Sequence, residues 1–367
     1  MCEDELSAAV RRCGYHTQLY FGSVAGIAAR VKAFVPEGKV LFIADEEYSE
    51  KVSHFRAALS PFRLFFVLYG KGERAAGLFS LPDDVRAAVA VGARSIAAAR
   101  FFCTLRGAYC IAVPAERGVR GIFEPCAEGY PSDPPAAVLF DESFAADRAA
   151  ENRAWAAMSA AMAEDIDIDA VFSGERKEAG YAELRLAEKY AEGDARQVFA
   201  AAAFRALGER LAPVCPSAAF ARTLGGRAQG SDLRALVYAA ERVRDLFRGG
   251  QPREYFVPDY ASRAETAQKF GGKEVFQNIR VPTAAELSAR ARLFAESREH
   301  FCVTAELLLG YAHRIAEKFY ADGGKAAQVP EGALAACYSV SCELSPLLSA
   351  AALARDFGLL PHMCGGA

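Results

Sequence analysis

Six short apolar runs, spaced through the first 145 or so residues with helix-period segments between them, leave this chain few architectures to adopt. "TQLYFG" closes on Gly22 and leads into "SVAGIAARVKAFV", whose apolar residues recur at helical spacing; "KVLFIAD", Lys39 to Asp45, then reads as a buried strand. A second cycle runs from "VSHFRAAL" to "FRLFFVLYG", and a third from "VRAAVAV" through "GARSIAAAR" to "YCIAVPAE". After the proline-rich "YPSDPP" comes one more apolar run, "AAVLFD", which closes at Asp141. Strands alternating with helices predict a parallel sheet covered on both faces.

Beyond Asp141 the strand pattern stops. Alanine-rich helical segments follow, punctuated by "CPSAAF", "RGGQPREYFVPDY", "FGGKEV" and "VPTAAE". A helix from about Ala284 to Ala321 is predicted to carry Phe294, Phe301, Leu308 and Ile315 as a core stripe. At 367 residues the chain is long enough for two cores. The expected architecture is an α/β Rossmann-like domain over residues 1–150 and an all-α domain over 151–367, with the boundary between about 142 and 165.

The balance of charge narrows the function classes. A net charge of −3 leaves no basic footprint for nucleic acid. Apolar stretches such as "FAAAAFRALGERLA" are broken by charge and fall short of the roughly 20 residues a membrane span needs. The charged start "MCEDEL" carries no signal-peptide pattern, and the ten cysteines are scattered without a CxxC pair. Together these predict a cytoplasmic protein with free thiols, without membrane or nucleic-acid partners.

Two positions in the first domain bear on ligand chemistry. Gly92 stands between the apolar "VRAAVAV" and "SIAAAR", where it either lets a helix N-terminus face a phosphate or simply makes a strand-to-helix turn. Asp45 ends its strand, placed either to bond ribose hydroxyls or to sit in solvent.

The order "FGSVAGIAARV", "KVLFIAD", "VAVGARSIAAAR", "GAYCIAVPAERGVRGIFEP" and "YPSDPPAAVLFDES" resembles the superfamily of 3-dehydroquinate synthase, glycerol dehydrogenase, glycerol-1-phosphate dehydrogenase and iron-containing alcohol dehydrogenase. The likeness covers residues 20 to 145 in order and spacing. It implies an N-terminal domain that binds NAD or NADP and a helical domain that carries a divalent metal, zinc or iron. Carried over by position, Asp45 would meet the adenosine ribose, while Gly92, Arg94, Ser95 and Pro114 would lie along the cofactor. "GVRGIFEP" is similar to the glycerol-1-phosphate dehydrogenase branch, and "TLRG", Thr104 to Gly107, to the synthase branch.

The chain departs from the family pattern at specific places. Where the family has further glycines, this turn has Ala93 and Arg94; its threonine after the proline is Ala115, followed by Glu116, and its serine and aspartate are Gly118 and Arg120. Arg94, Arg117 and Arg120 therefore suit an anionic small-molecule substrate. "GYAE" is similar to a zinc-binding segment of the synthase, which puts a metal ligand at Glu183; a solvated acidic helix face is the alternative. The resemblance asks for two histidines as well, and His300 and His313 are the candidates. On one continuous helix their thirteen-residue separation spans about 20 Å, so sharing one ion requires a break near Val303 and Thr304.

Three functions follow from this reading. The first is an NAD(P)- and metal-dependent oxidoreductase acting on a polyol or phosphorylated alcohol, assembled as a homo-oligomer as the resemblance implies. The second is a carbon–oxygen lyase of the dehydroquinate synthase type, and the third a non-catalytic descendant that binds an anion.

Overall fold

Each predicted apolar run becomes a strand in the computed structural model, which describes residues 2–115, 119–144 and 178–212 continuously, with isolated residues among 156–175, at 215 and among 283–347. A helix not predicted above, α1 (Cys2–Arg12), comes first, with Leu6, Ala9 and Val10 buried. Then follow β1 (Gln18–Phe21), α2 (Ile27–Phe34), β2 (Lys39–Asp45), α3 (Val52–Ala58), β3 (Arg63–Tyr69), β4 (Val85–Val91), α4 (Ala93–Arg106) and β5 (Tyr109–Val113). A two-stranded antiparallel ribbon, β6 (Cys126–Ala127) and β7 (Tyr130–Pro131), precedes the closing strand β8 (Ala137–Phe140).

The main sheet has six strands in the order β1-β8-β5-β4-β2-β3, and every pairing is parallel. Because each strand alternates its side chains across the sheet, one sequence supplies two cores. Val40, Phe42 and Ala44 of β2, Val89 and Val91 of β4, and Ile111 and Val113 of β5 pack with Ile27 and Val31 of α2, Phe55 of α3 and Leu59 at its end. The alternate residues Leu41, Ile43 and Asp45 turn to the opposite face, where α4 crosses β2, β4 and β5. Both faces being covered explains why β2 and β4 read as continuous apolar runs.

The topology also creates a switch point. From β2 the chain moves outward through α3 to β3, whereas from β4 it moves the other way through α4 to β5. Right-handed crossovers in opposite directions place the two helices on opposite faces and open a crevice beyond the carboxyl ends of β2 and β4. Asp45 and Gly92 stand at those two ends.

Contacts divide the chain into one unit of Met1–Asp147 with Tyr190–Arg210, and another of Arg148–Lys189 with Leu211–Ala367. The helix Ala195–Leu211 therefore groups with the sheet, although it lies well past the last strand in sequence. It starts on a reciprocal cap: the Gln197 amide donates to Asp194 Oδ1 and the Asp194 amide to Gln197 Oε1, both at 3.0 Å. Its Phe199 ring then reaches Phe140 of β8, with centroids 5.5 Å apart.

In the second unit, Met162, Ala163, Ile166, Leu184, Cys215 and Leu347 form a buried cluster. Thr283 opens the helix predicted from Ala284: its own amide donates to the Glu286 carboxylate and its hydroxyl accepts from the Glu286 amide. The predicted stripe of Phe294, Phe301, Leu308 and Ile315 lies outside the described residues.

Candidate functional site

The crevice at the switch point is built around a carboxylate. Asp45 is the last residue of β2 and only 1% exposed. Its Oδ1 accepts from the Ser95 amide at 2.7 Å and from the Ser95 hydroxyl at 2.6 Å, while Oδ2 accepts from the Arg94 amide at 3.2 Å. These are amides of the first turn of α4, which have no partner within the helix and which, together with the helix dipole, favour an anion. Arg94 adds its guanidinium, with Nε 3.7 Å from Oδ2.

Gly92 is required here by the carboxylate itself. Its φ of +94° disfavours any side chain, and a Cβ added to it would lie 2.5 Å from Asp45 Oδ2. The Gly92 amide donates to Val113 O at 3.3 Å, which holds the ends of β4 and β5 together and puts Pro114 beside the turn. The structure thus brings Asp45, Gly92, Arg94, Ser95 and Pro114 to one edge of the sheet.

This arrangement does not fit the pyrophosphate of a dinucleotide as it stands. The Arg94 and Ser95 amides that would bind a phosphate already hold the Asp45 carboxylate. A second anion beside an ionised carboxylate would be repelled by it.

The other strand-end aspartate behaves in the same way. Asp141, directly after β8, accepts from the Val24 amide at 2.6 Å through Oδ2 and from the Ser143 amide at 2.8 Å through Oδ1. Asp45 and Asp141 are therefore both buried strand-end carboxylates that hold at least one backbone amide beyond a neighbouring strand.

Sequence reasoning missed Arg100, which is 1% exposed on α4. Its guanidinium donates to four backbone carbonyls: Asp133 O at 2.9 Å from Nε, Glu124 O at 2.6 Å and Ser132 O at 3.0 Å from one terminal nitrogen, and Gly121 O from the other. Burial pulls its pKa below the usual arginine value. The signal was a charge inside "SIAAARFFC", one helix turn from residues that must face the sheet.

"TLRG" also has a structural role. Gly107 takes the left-handed conformation, φ 62° and ψ 32°, and its amide closes α4 onto Cys103 O. Thr104 Oγ1 accepts from the Asp133 amide at 2.9 Å, and Arg106 donates to Phe79 O at 3.0 Å and Leu81 O at 3.2 Å. These residues anchor the loops on either side of the helix.

Of the remaining candidates, Arg117 lies outside the described residues, as does the side chain of Arg120, whose backbone is in a short helix, Val119–Ile122. Glu183 is buried at 3% exposure on the helix Tyr181–Tyr190, so it does not belong to a solvated face. Two residues further on, Arg185 pairs with Glu164, with Glu188 at 3.0 Å and with Asp167 at 3.3 Å, and against the lowering effect of burial its hydrogen bonds to Glu164, Tyr181 and Glu188 hold its pKa above the usual arginine value. His313 is helical and exposed, and His300 is outside the described residues. Among the described residues no group of three His, Cys, Asp or Glu side chains is placed to hold a metal ion.

The fold and this edge define a doubly wound α/β protein whose switch-point crevice is lined by its own carboxylate. No family model and no curated protein matches the chain. Among solved structures it is similar to glycerol dehydrogenase from Schizosaccharomyces pombe, at 14% identity over 86% of this chain and 93% of that one, with a TM-score of 0.43. It is similar to alcohol dehydrogenase from Oenococcus oeni, at 14% identity over 88% and 91%, with a TM-score of 0.48. A maleylacetate reductase from Agrobacterium tumefaciens gives 10% identity over 93% and 96%, with a TM-score of 0.49. At these identities and TM-scores the matches assign no activity to the chain. Among the described residues no helix is long and apolar enough to cross a membrane.

Proposed function

We propose that this chain is a divergent oxidoreductase of the dehydroquinate synthase-like, iron-containing alcohol dehydrogenase-like kind, acting on a polyol or phosphorylated alcohol with NAD or NADP. One observation carries the reading: Asp45 and Gly92 meet at the carboxyl ends of β2 and β4, the switch point where open α/β sheets take their ligands. The order of motifs from residue 20 to 145 supports it. In this reading Asp45, Gly92, Arg94, Ser95 and Pro114 form the cofactor edge, and Arg117 and Arg120 are the candidates for binding a small anionic substrate. Glu183, His300 and His313 are the candidate ligands of a zinc or iron ion. Calorimetric titration with NAD(H) and NADP(H) in the presence of zinc tests the proposal; saturable binding of one pair is expected, and binding of neither overturns it.

A second reading, a non-catalytic descendant that keeps the fold, is favoured by the Asp45 carboxylate on the Arg94 and Ser95 amides. Elemental analysis of the purified protein separates the two, because stoichiometric zinc or iron counts against a non-catalytic role.

A further inference from the structure

Three features at the switch point concern one group. The Asp45 carboxylate takes two first-turn amides of α4 and the Ser95 hydroxyl, and it is 1% exposed. Gly92 lacks a side chain where a Cβ would meet that carboxylate at 2.5 Å, so the turn is shaped around Asp45. Arg94, one of the two residues that depart from the family's glycine pattern, directs its guanidinium at the same oxygen, 3.7 Å away. Two of the amides that open α4, with the Arg94 guanidinium, are thus directed at a residue of the chain itself.

We propose that Asp45 is an intramolecular occupant of the anion position at the start of α4, a self-inhibiting contact that a phosphate-bearing ligand must displace before it can bind there. The inference rests on the reading of this crevice as the cofactor edge. Carboxylate and phosphate are both acceptors with negative charge, and the two amides cannot serve both. Neutralising Asp45 weakens the incumbent by removing its charge-assisted bonds while leaving the amides and Arg94 in place. Ser95 is a positioning residue: its hydroxyl holds Asp45 on the helix, and its amide is the donor that a phosphate would take over.

The test follows the Arg94 and Ser95 amide resonances of the full chain while inorganic pyrophosphate and, separately, NADH are titrated into wild type, Asp45→Asn and Ser95→Ala. The expected result is saturation in Asp45→Asn at a concentration lower than in wild type by on the order of tenfold, as for loss of one charge-assisted hydrogen bond. Ser95→Ala is expected to shift the midpoint in the same direction by a smaller factor. Equal midpoints in wild type and Asp45→Asn overturn the inference, and saturable NADH binding in that case leaves the cofactor reading standing. No movement of these amides with either probe in any of the proteins overturns both. Should Asp45→Asn fail to fold, Ser95→Ala decides: a midpoint equal to that of wild type overturns the inference.

Discussion

The Ser95 amide and hydroxyl both donate to one oxygen of Asp45, at 2.7 and 2.6 Å, across a sequence separation of fifty residues. This pair joins the end of β2 to the start of α4 and explains the turn between them. A strand-to-helix turn needs a residue with positive φ at Gly92, and the carboxylate beside it removes the space for any Cβ.

Gly92→Ala is therefore expected to destabilise the protein by about 3 kcal/mol, since it combines backbone strain with a clash against buried Asp45. Chemical denaturation measures the change. A loss below about 1 kcal/mol, within the range of an ordinary substitution, would show that the turn is not built around the carboxylate.

Arg100→Met keeps the bulk of the stem but leaves the carbonyls of Gly121, Glu124, Ser132 and Asp133 without their donor. The expected cost is about 3 kcal/mol, with the segment from 121 to 133 losing protection against proteolysis first. Uniform loss of protection along the chain would mean that Arg100 does not organise this segment in particular.

The fold was legible because the apolar runs are bounded by turn residues and the inner ones are buried on both faces, as with "KVLFIAD" between Gly38 and Glu46. The edge formed by Asp45, Gly92, Arg94, Ser95 and Pro114 was legible as a set of positions. The occupant of that edge was not, because pairing Asp45 with Ser95 requires knowing that β2 and β4 are neighbours, and nothing local in either segment says so. Arg100 escaped notice for a related reason: its partners are backbone carbonyls, which leave no pattern in side-chain identity. "TLRG" had a family resemblance, yet Gly107 serves as a helix cap, a role that local glycine chemistry alone accounts for. The Asp194–Gln197 cap could have been found, since D-x-x-Q ahead of an apolar helical run is a helix-start signal.

Tyr69 supplies a pH-dependent term. Burial, with Glu128, Glu73 and Asp45 adding negative charge around it, pushes its pKa up to about 12, and its hydroxyl donates to Glu73 O at 3.1 Å. A phenol with a raised folded pKa holds its proton more tightly in the folded chain. Its contribution is complete below the unfolded value of about 10 and is lost as pH rises through about 12. Denaturation midpoints should fall across that interval, and Tyr69→Phe should flatten the fall. An ultraviolet difference titration of wild type against Tyr69→Phe should show the missing tyrosine ionising near the top of the interval; ionisation near 10 would contradict the account.

Thiol labelling checks the packing of the sheet. Cys103, Cys110 and Cys215 are buried, and burial pushes the Cys103 thiol well above its usual pKa, whereas Cys126 on the short ribbon is exposed. Brief alkylation of the folded protein followed by peptide mass analysis should mark Cys126 and spare these three. Early labelling of Cys103 or Cys110 would contradict the placement of α4 on β4 and β5.

Amide hydrogen exchange at Arg94 and Ser95 in the ligand-free protein tests the central claim most directly. Asp45 seated on both amides predicts slow exchange at the very start of α4, where a helix has no internal acceptors, and selective loss of that protection in Asp45→Ala while the middle of α4 keeps its own. Exchange in wild type as fast as at the exposed residues 71–73 would show that the carboxylate does not hold the helix start and that the crevice is open.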